Sequence, residues 1–517
     1  MRKFKKIFLA LSLSIVWVSA CNKDLLEVKD ENRLNPEVFW QSGDDASKAI
    51  IGAYSPLSGV FSWGRMMILH TVYRSDAINP IPFQGVTTDA ANFSIEPTFG
   101  RLQEAWGEFW KTILRANTIL VKVPEIEDPS FSDEQRNQIL GEAHYLRAFQ
   151  YFYLVTMFRN VPLITEPAAS IDEIKNPPAE PEVVWQQIID DLKMAQTLLP
   201  EKWDDANVGR ATWGAATGLL GKTYLYRSGL ENADEYALAA VEFQKIIDRE
   251  GDLYSLMPNQ AANFGSAQEN NAESLFEIQF DNNGSAWGAD NAGSNLTAAF
   301  ESDLSPPGYT SQSGVLVNPW VREAFLEEPT IGGAIDPRAF NTIIWDEPGL
   351  MVYLDTFQKA FADNLDAVAV RKYLDFRDGK AQPEFSGPNG SDINWRIMRY
   401  ADILLMYAEA QNEAVPNSPL ALDALNKVRS RSNMAIRTAS DQATLRQQIR
   451  DERVLELLFE GDRYMDLLRW GMIPEAITDE LKSNMGGSQY RDGREYLPIP
   501  QIEVDTNPLY PQNPGYN

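Results

Sequence analysis

Arg399-Tyr400-Ala401-Asp402-Ile403-Leu404-Leu405-Met406-Tyr407-Ala408-Glu409-Ala410 reads as one helix, its small residues leaving room for a neighbour to pack closely. Ser418-Pro419 caps and starts the next helix, with proline at a position where its missing N–H costs nothing. Thr438 and Asp441 predict a capping box for a long final helix. In that helix Val454, Leu455, Leu457, Leu458 and Phe459 leave little of the circumference polar, which predicts burial. Glu452, Arg453, Glu456, Glu460 and Arg463 are interleaved with them, so these charges must be paired or lie at the rim. The expected partners stand at i,i+3: Arg453 with Glu456, Arg463 with Asp466, and Asp466 with Arg469. A catalytic carboxylate site is the alternative, but opposite signs at these spacings suit neutralisation.

The same period recurs in pairs further toward the N-terminus. Ser132 with Gln135 makes a capping box, followed by Ile139, Ala143, Leu146, Phe149, Tyr153 and Met157, and Asn160 and Pro162 end the helix. Its partner is residues 102–123, closed by Pro124, where Trp106 and Trp110 at i,i+4 are expected in the core. A second pair covers residues 182–199 and 211–227, with Val184, Ile188, Leu192, Ala195 and Leu199 on one face and Pro200 as the stop. Within it Ala216-Thr217-Gly218-Leu219-Leu220-Gly221-Lys222-Thr223 satisfies a permissive phosphate-loop pattern. Such a loop needs a preceding strand and glycines free to turn N–H groups toward phosphate, whereas these flanks are helical. Leu220-Gly221 followed by Tyr224 fits the small and aromatic positions of a tetratricopeptide helix, and packing is the expected role.

Composition and the N-terminal segment bound the class. Arg2, Lys3, Lys5 and Lys6 precede about twelve mostly apolar residues, 7–18, too few to span a bilayer. Val18-Ser19-Ala20 before Cys21, the chain's single cysteine, is a site for lipoprotein signal peptidase, which leaves that cysteine as an acylated N-terminus. The alternative is an ordinary secretory signal that keeps a cysteine. No later stretch reaches eighteen consecutive apolar residues. The formal charge is −27, or −31 without the leader's four basic residues, which argues against nucleic acid or anionic lipid as a partner. One cysteine excludes an internal disulfide, and two histidines, His70 and His144, weaken any histidine-based mechanism or metal site.

The 399–410 stretch, Ile449-Arg450-Asp451-Glu452-Arg453 through Trp470-Gly471, and Tyr496-Leu497-Pro498-Ile499-Pro500, in that order, resemble the C-terminal hallmarks of the SusD/RagB family. Ala143-His144-Tyr145-Leu146-Arg147-Ala148, Asp24-Leu25-Leu26-Glu27-Val28 and Phe39-Trp40 extend the resemblance over nearly the whole chain after Cys21. The resemblance implies a mainly α fold: four tetratricopeptide-like helix pairs in a right-handed superhelical scaffold, with an irregular loop-rich ligand region containing short strands. It further implies a lipid-anchored outer-membrane protein of Bacteroidota, facing the exterior, that binds glycans and delivers them to a SusC-like TonB-dependent transporter. No catalytic residue, cofactor or metal is implied. On this basis residues 1–20 are read as signal peptide, 21–251 as an N-terminal helical region, 252–395 as the loop-rich ligand region and 396–517 as a C-terminal helical region.

The ligand region is placed by punctuation. Between residues 252 and 394 the helical period weakens and Asn282-Asn283-Gly284, Pro306-Pro307-Gly308, Gly332-Gly333, Pro348-Gly349 and Gly387-Pro388 interrupt the chain. Trp287, Tyr309, Trp320, Trp345 and Tyr353 fall among these breaks. Sugar rings pack their C–H faces on aromatic rings while hydroxyls pair with Asn, Asp and Arg, so aromatics on loops suit a glycan site. The candidate glycan-binding residues are Trp287, Tyr309, Trp320 and Trp345, with Trp63, Arg65 and Asn92 as an opposite wall. Each tryptophan has the alternative of packing in its own core. Asp281, Asn283 and Asp290 resemble a calcium loop only loosely, since the glycine is misplaced, and no metal is expected. Two other functions stay open at this point: a glycoside hydrolase, since two carboxylates suffice among 73 acidic residues, and a peptide-binding helical scaffold.

Overall fold

The computed structural model describes residues 39–81, 85–167, 175–281, 298–307, 309, 314–374 and 391–516. Helix α1 (Gly43–Tyr54) opens on Ser42, which accepts from Asp45 N while the Asp45 side chain returns to the cap. α2 (Gly100–Lys122) and α3 (Asp133–Phe158) follow, and the capping box expected at Ser132 and Gln135 is present. α4 (Pro181–Leu198) begins with proline at its first position, and α5 (Trp213–Glu231) ends at Asn232 in the left-handed region. α6 (Tyr236–Ile247) completes the N-terminal series. Each of these helices packs chiefly on its sequence neighbours, which is the stacking of a tetratricopeptide-like repeat.

An irregular segment then intervenes before α8 (Tyr400–Ala414), yet α6 packs directly on α8. The helical stack is therefore continuous in space where the chain is not. It runs on into α9 (Pro419–Arg431), α10 (Gln442–Leu457) and α11 (Asp462–Arg469). The ends of the inserted segment are tied together: β1 (Ser274–Ile278) runs antiparallel to β6 (Trp395–Arg399), pairing Ser274 with Arg399 and Ile278 with Trp395. Inside the insertion lie α7 (Pro319–Leu326) and four two-residue strands, β2 (Ile343–Ile344) with β5 (Ala369–Val370) and β3 (Met351–Val352) with β4 (Asp355–Thr356).

The phosphate-loop pattern at 216–223 lies wholly within α5. A side chain on Gly221 would stand 2.6 Å from the Phe243 ring, so this glycine lets α5 and α6 touch. Lys222 is 3 % exposed and its Nζ donates to Asp462 at 2.7 Å, leaving it no role toward phosphate. Trp106 is in the core and Trp110 packs against it, ring to ring at 5.7 Å, as expected.

The final helix departs from expectation. Asp441, not Thr438, is the cap, accepting from Thr444 N at 2.9 Å. The helix then stops at Leu457, because Phe459 and Gly461 take positive φ of 68° and 102°, and α11 starts in a new direction. Of the three expected local ion pairs, only Asp466 with Arg469 forms, at 2.8 Å. Arg453 reaches Asp466 and Asp402, Arg463 reaches Asp76, and Glu456 is surrounded by Arg338, Arg399 and Arg431. A buried charge needs partners from several directions, which one helix face cannot supply.

Two buried ionic clusters result. In the first, Arg338, Lys372, Arg399, Arg429 and Arg431 balance Glu273, Asp336, Glu452, Glu456 and Glu460 one for one. Burial alone would push Glu456 up, but Arg431, Arg399 and Arg338 outweigh it and hold the carboxyl well below the usual range. In the second, Lys222, Arg453 and Arg469 face Asp402, Glu409, Asp462 and Asp466. Here acids outnumber bases by one, and Asp462 is pushed up to about 6, first by burial and then by Asp402 against the pull of Lys222.

Candidate functional site

α7 is set by three residues from distant parts of the chain. Asn318 precedes it and donates from Nδ2 to the carbonyls of Asp76 at 2.6 Å and Leu481 at 3.1 Å. Pro319 supplies the fixed first turn. Trp320 then donates its indole N–H to the Asp76 carbonyl at 3.2 Å. The Asp76 carboxylate holds Arg463 by two bonds, 2.9 and 2.6 Å, and that guanidinium lies 5.7 Å from the Trp320 ring. The half-buried indole is thus fixed by its N–H and by a neighbouring cation before any ligand arrives.

Two clefts flank this helix. One, of about 780 Å³, is lined by Arg322, Glu323 and Leu326 of α7 and by Trp345, Asp346 and Glu347. The other, of about 450 Å³, lies between α7 and the C-terminal helices, with Arg437, Gln447, Gln448, Arg450, Asp451 and Trp470 among its walls. Trp320, Ala324 and Glu327 line both, and their i, i+4, i+7 spacing makes them one ridge along the helix. Trp470 is also fixed: its N–H donates to Glu409 at 2.8 Å and the Arg450 guanidinium lies 4.7 Å from its ring. Aromatic rings beside carboxylates, amides and guanidinium groups are the means of holding a polyhydroxylated ligand.

The residues singled out in the sequence divide between surface and interior. Trp320 and Trp345 come together on the larger cleft, although Trp345 is only 3 % exposed and rests on Phe340 at 5.2 Å. Tyr309 stands apart, its ring 5.4 Å from Tyr353 and its hydroxyl donating to Asp355 at 3.0 Å; burial and that carboxylate push its pKa up. The wall expected at Trp63, Arg65 and Asn92 is corrected. Trp63 is 2 % exposed among Tyr153, Phe149 and Trp395, at 5.0, 6.2 and 6.5 Å. Arg65 donates to both Asp303 carboxylate oxygens at 2.6 and 2.7 Å, a buried pair that neutralises itself. Asn92 accepts from Ser94 N at 3.1 Å and closes the turn after the helix Gly85–Asn92, where Phe93 has φ 67°. Cys21, Trp287, Asn283 and Asp290 lie outside the described residues.

Sequence reasoning passed over the second wall. Gln447, Gln448, Asp451, Val454 and Leu455 lie at i, i+1, i+4, i+7 and i+8 on α10, a stripe legible in the sequence but assigned there to the scaffold. Nothing local announces that α7 packs opposite it.

A tetratricopeptide-like stack carrying an inserted aromatic segment defines a helical scaffold protein. Residues 272–516 match the profile of the SusD family, and residues 26–225 match a profile described as starch-binding and associating with the outer membrane. The chain belongs to the SusD/RagB family. It is 28 % identical to SusD-like protein P2 of Formosa agariphila over 100 % of both chains. Among solved structures it is similar to a SusD superfamily protein from Bacteroides vulgatus, at 27 % identity and TM-score 0.77, covering 92 % of this chain and 100 % of that one. A laminarin-binding SusD-like protein matches at 28 % identity and TM-score 0.74, with the same coverage. No helix among the described residues is long and apolar enough to cross a membrane.

Proposed function

We propose that this protein is a non-enzymatic glycan receptor, anchored through Cys21 to the outer membrane and facing the exterior, that passes oligosaccharide to a SusC-like TonB-dependent transporter. The observation that carries the binding reading is Trp320, a half-exposed indole fixed by Asp76 and Arg463 on the wall of two clefts. A ring held this way offers a flat face with little entropy left to lose on binding. The laminarin-binding relative supports a β-glucan as the first ligand to try. Glu323, Glu327, Asp346 and Glu347 outnumber Arg322 on the larger cleft, which favours a neutral chain over a sulfated or uronic one.

The test is titration of the protein lacking residues 1–20 against laminarin, starch and an anionic polysaccharide. Binding of a neutral glycan, weakened about tenfold or more by Trp320→Ala, is the expected result. Failure to bind any glycan, or binding indifferent to Trp320, Trp345 and Trp470 together, overturns the reading. Release of reducing sugar by the protein would replace it with a hydrolase. Delivery is tested separately by solubilising membranes and asking whether a large β-barrel co-purifies; its absence sinks that part alone.

A further inference from the structure

The ridge between the two clefts is not of uniform height. Trp320 and Glu327 carry long side chains, and between them Ala324 carries a single methyl. At 1.5 Å rise per residue, the two tall residues stand about 10 Å apart along the helix axis, with Ala324 at the notch. Arg322, Glu323 and Leu326 turn to one cleft and Phe325 and Glu328 to the other, so only the 320, 324, 327 stripe faces both. The two sides of the notch are differently lined, by Asp346 and Glu347 on one and by the Trp470 indole on the other, and Trp320 stands on the ridge one turn before the notch.

We infer that one polysaccharide chain occupies both clefts at once by crossing α7 at Ala324, so that the site selects internal stretches of a long polymer over short fragments. This rests on the glycan reading above and adds the ligand's length and path. Trp320 is the platform beside the crossing, and the Glu327 carboxylate and the exposed Gln447 amide accept or donate to hydroxyls beyond it. A chain engaging two joined subsites gains from effective concentration, on the order of a hundredfold over a fragment that fills one. Ala324 is the specificity-determining residue because a larger side chain there closes the pass while the rest of each cleft's lining stays in place.

The experiment compares the polymer and its disaccharide by calorimetry, using laminarin or starch, whichever the titration above retains. For the unmodified protein, the polymer is expected to bind roughly a hundredfold more tightly per site than the disaccharide. Ala324→Phe is expected to bring polymer affinity down about tenfold or more and disaccharide affinity by much less, so that the two converge, with an unchanged melting temperature showing that the variant is folded. Should Ala324→Phe fail to fold, Ala324→Gln fills the notch with a flexible polar chain and is expected to give the same split. Equal affinity for polymer and disaccharide, or a polymer affinity that neither variant changes, overturns the crossing. Binding of neither polymer nor disaccharide overturns the glycan reading itself.

Discussion

The helical stack and the segment inserted between α6 and α8 both contain buried ion pairs and differ in what stands beside them. In the stack, helices are specified by period and caps, as at Ser132 with Gln135, and joined by close apolar contact, as at Gly221 against Phe243, around the pairs of Lys222, Arg453 and Arg469. Among its described residues the insertion has few backbone ladders of its own: one five-residue strand pair at its ends and two-residue strands within. What fixes it is charge. Arg338, Lys372 and Arg399 of the insertion and its boundary are bound to Glu452, Glu456 and Glu460 on and just after α10, and Asp336 holds Arg338 from within the insertion. Where local hydrogen bonding is thin, a buried network with fixed partners is one way to impose a single conformation.

The largest expected effect is on that network. Glu456→Ala leaves Arg338, Arg399 and Arg431 without a shared carboxylate, and about 3–5 kcal/mol of stability should be lost in denaturant titration. Limited proteolysis should then cut within residues 252–395 before the helices; simultaneous loss of both would break the distinction between the two regions.

Acid should act on both ionic clusters. Glu456, Glu460, Glu409 and Asp466 are held below their ordinary values by arginine or lysine neighbours in spite of burial. The unfolded chain therefore takes up protons first, so their contribution is full above about 4.5 and is lost as pH falls below it. Asp462, pushed up to about 6, has the opposite sign: its penalty is relieved as pH falls through that value. Melting temperature against pH should thus rise slightly or stay level from 7 to 5 and drop steeply below 4.5, and Asp462→Asn should flatten only the upper limb.

Within the stack the effects are smaller. Gly221→Ala places a methyl against the Phe243 ring and should cost about 2 kcal/mol with no change in proteolytic pattern. Ser132→Ala removes one cap and should cost about 1 kcal/mol. If either matched the Glu456→Ala effect, local packing and the ionic network would be equal contributors after all.

The helices were legible because each depends on residues three and four apart, so Ile139 to Met157 and the cap at Ser132 carry their own evidence. The loop aromatics were legible as a set but not as individuals. Trp320 and Trp63 both sit beside irregular chain, and one lines two clefts while the other is sealed against Tyr153 and Phe149. The same holds for the charges of α10, which read as local pairs and bind partners 13 to 118 residues away.

By itself, then, the sequence determined the helical periods, the caps, the acidic balance and the family, because these depend on composition and short spacing. Only the tertiary structure decided which aromatics face solvent, where the carboxylates of α10 find their arginines, and that Ala324 is a notch between Trp320 and Glu327. Burial and ion pairing are settled by what arrives from elsewhere in the chain, and no spacing along one element contains that information.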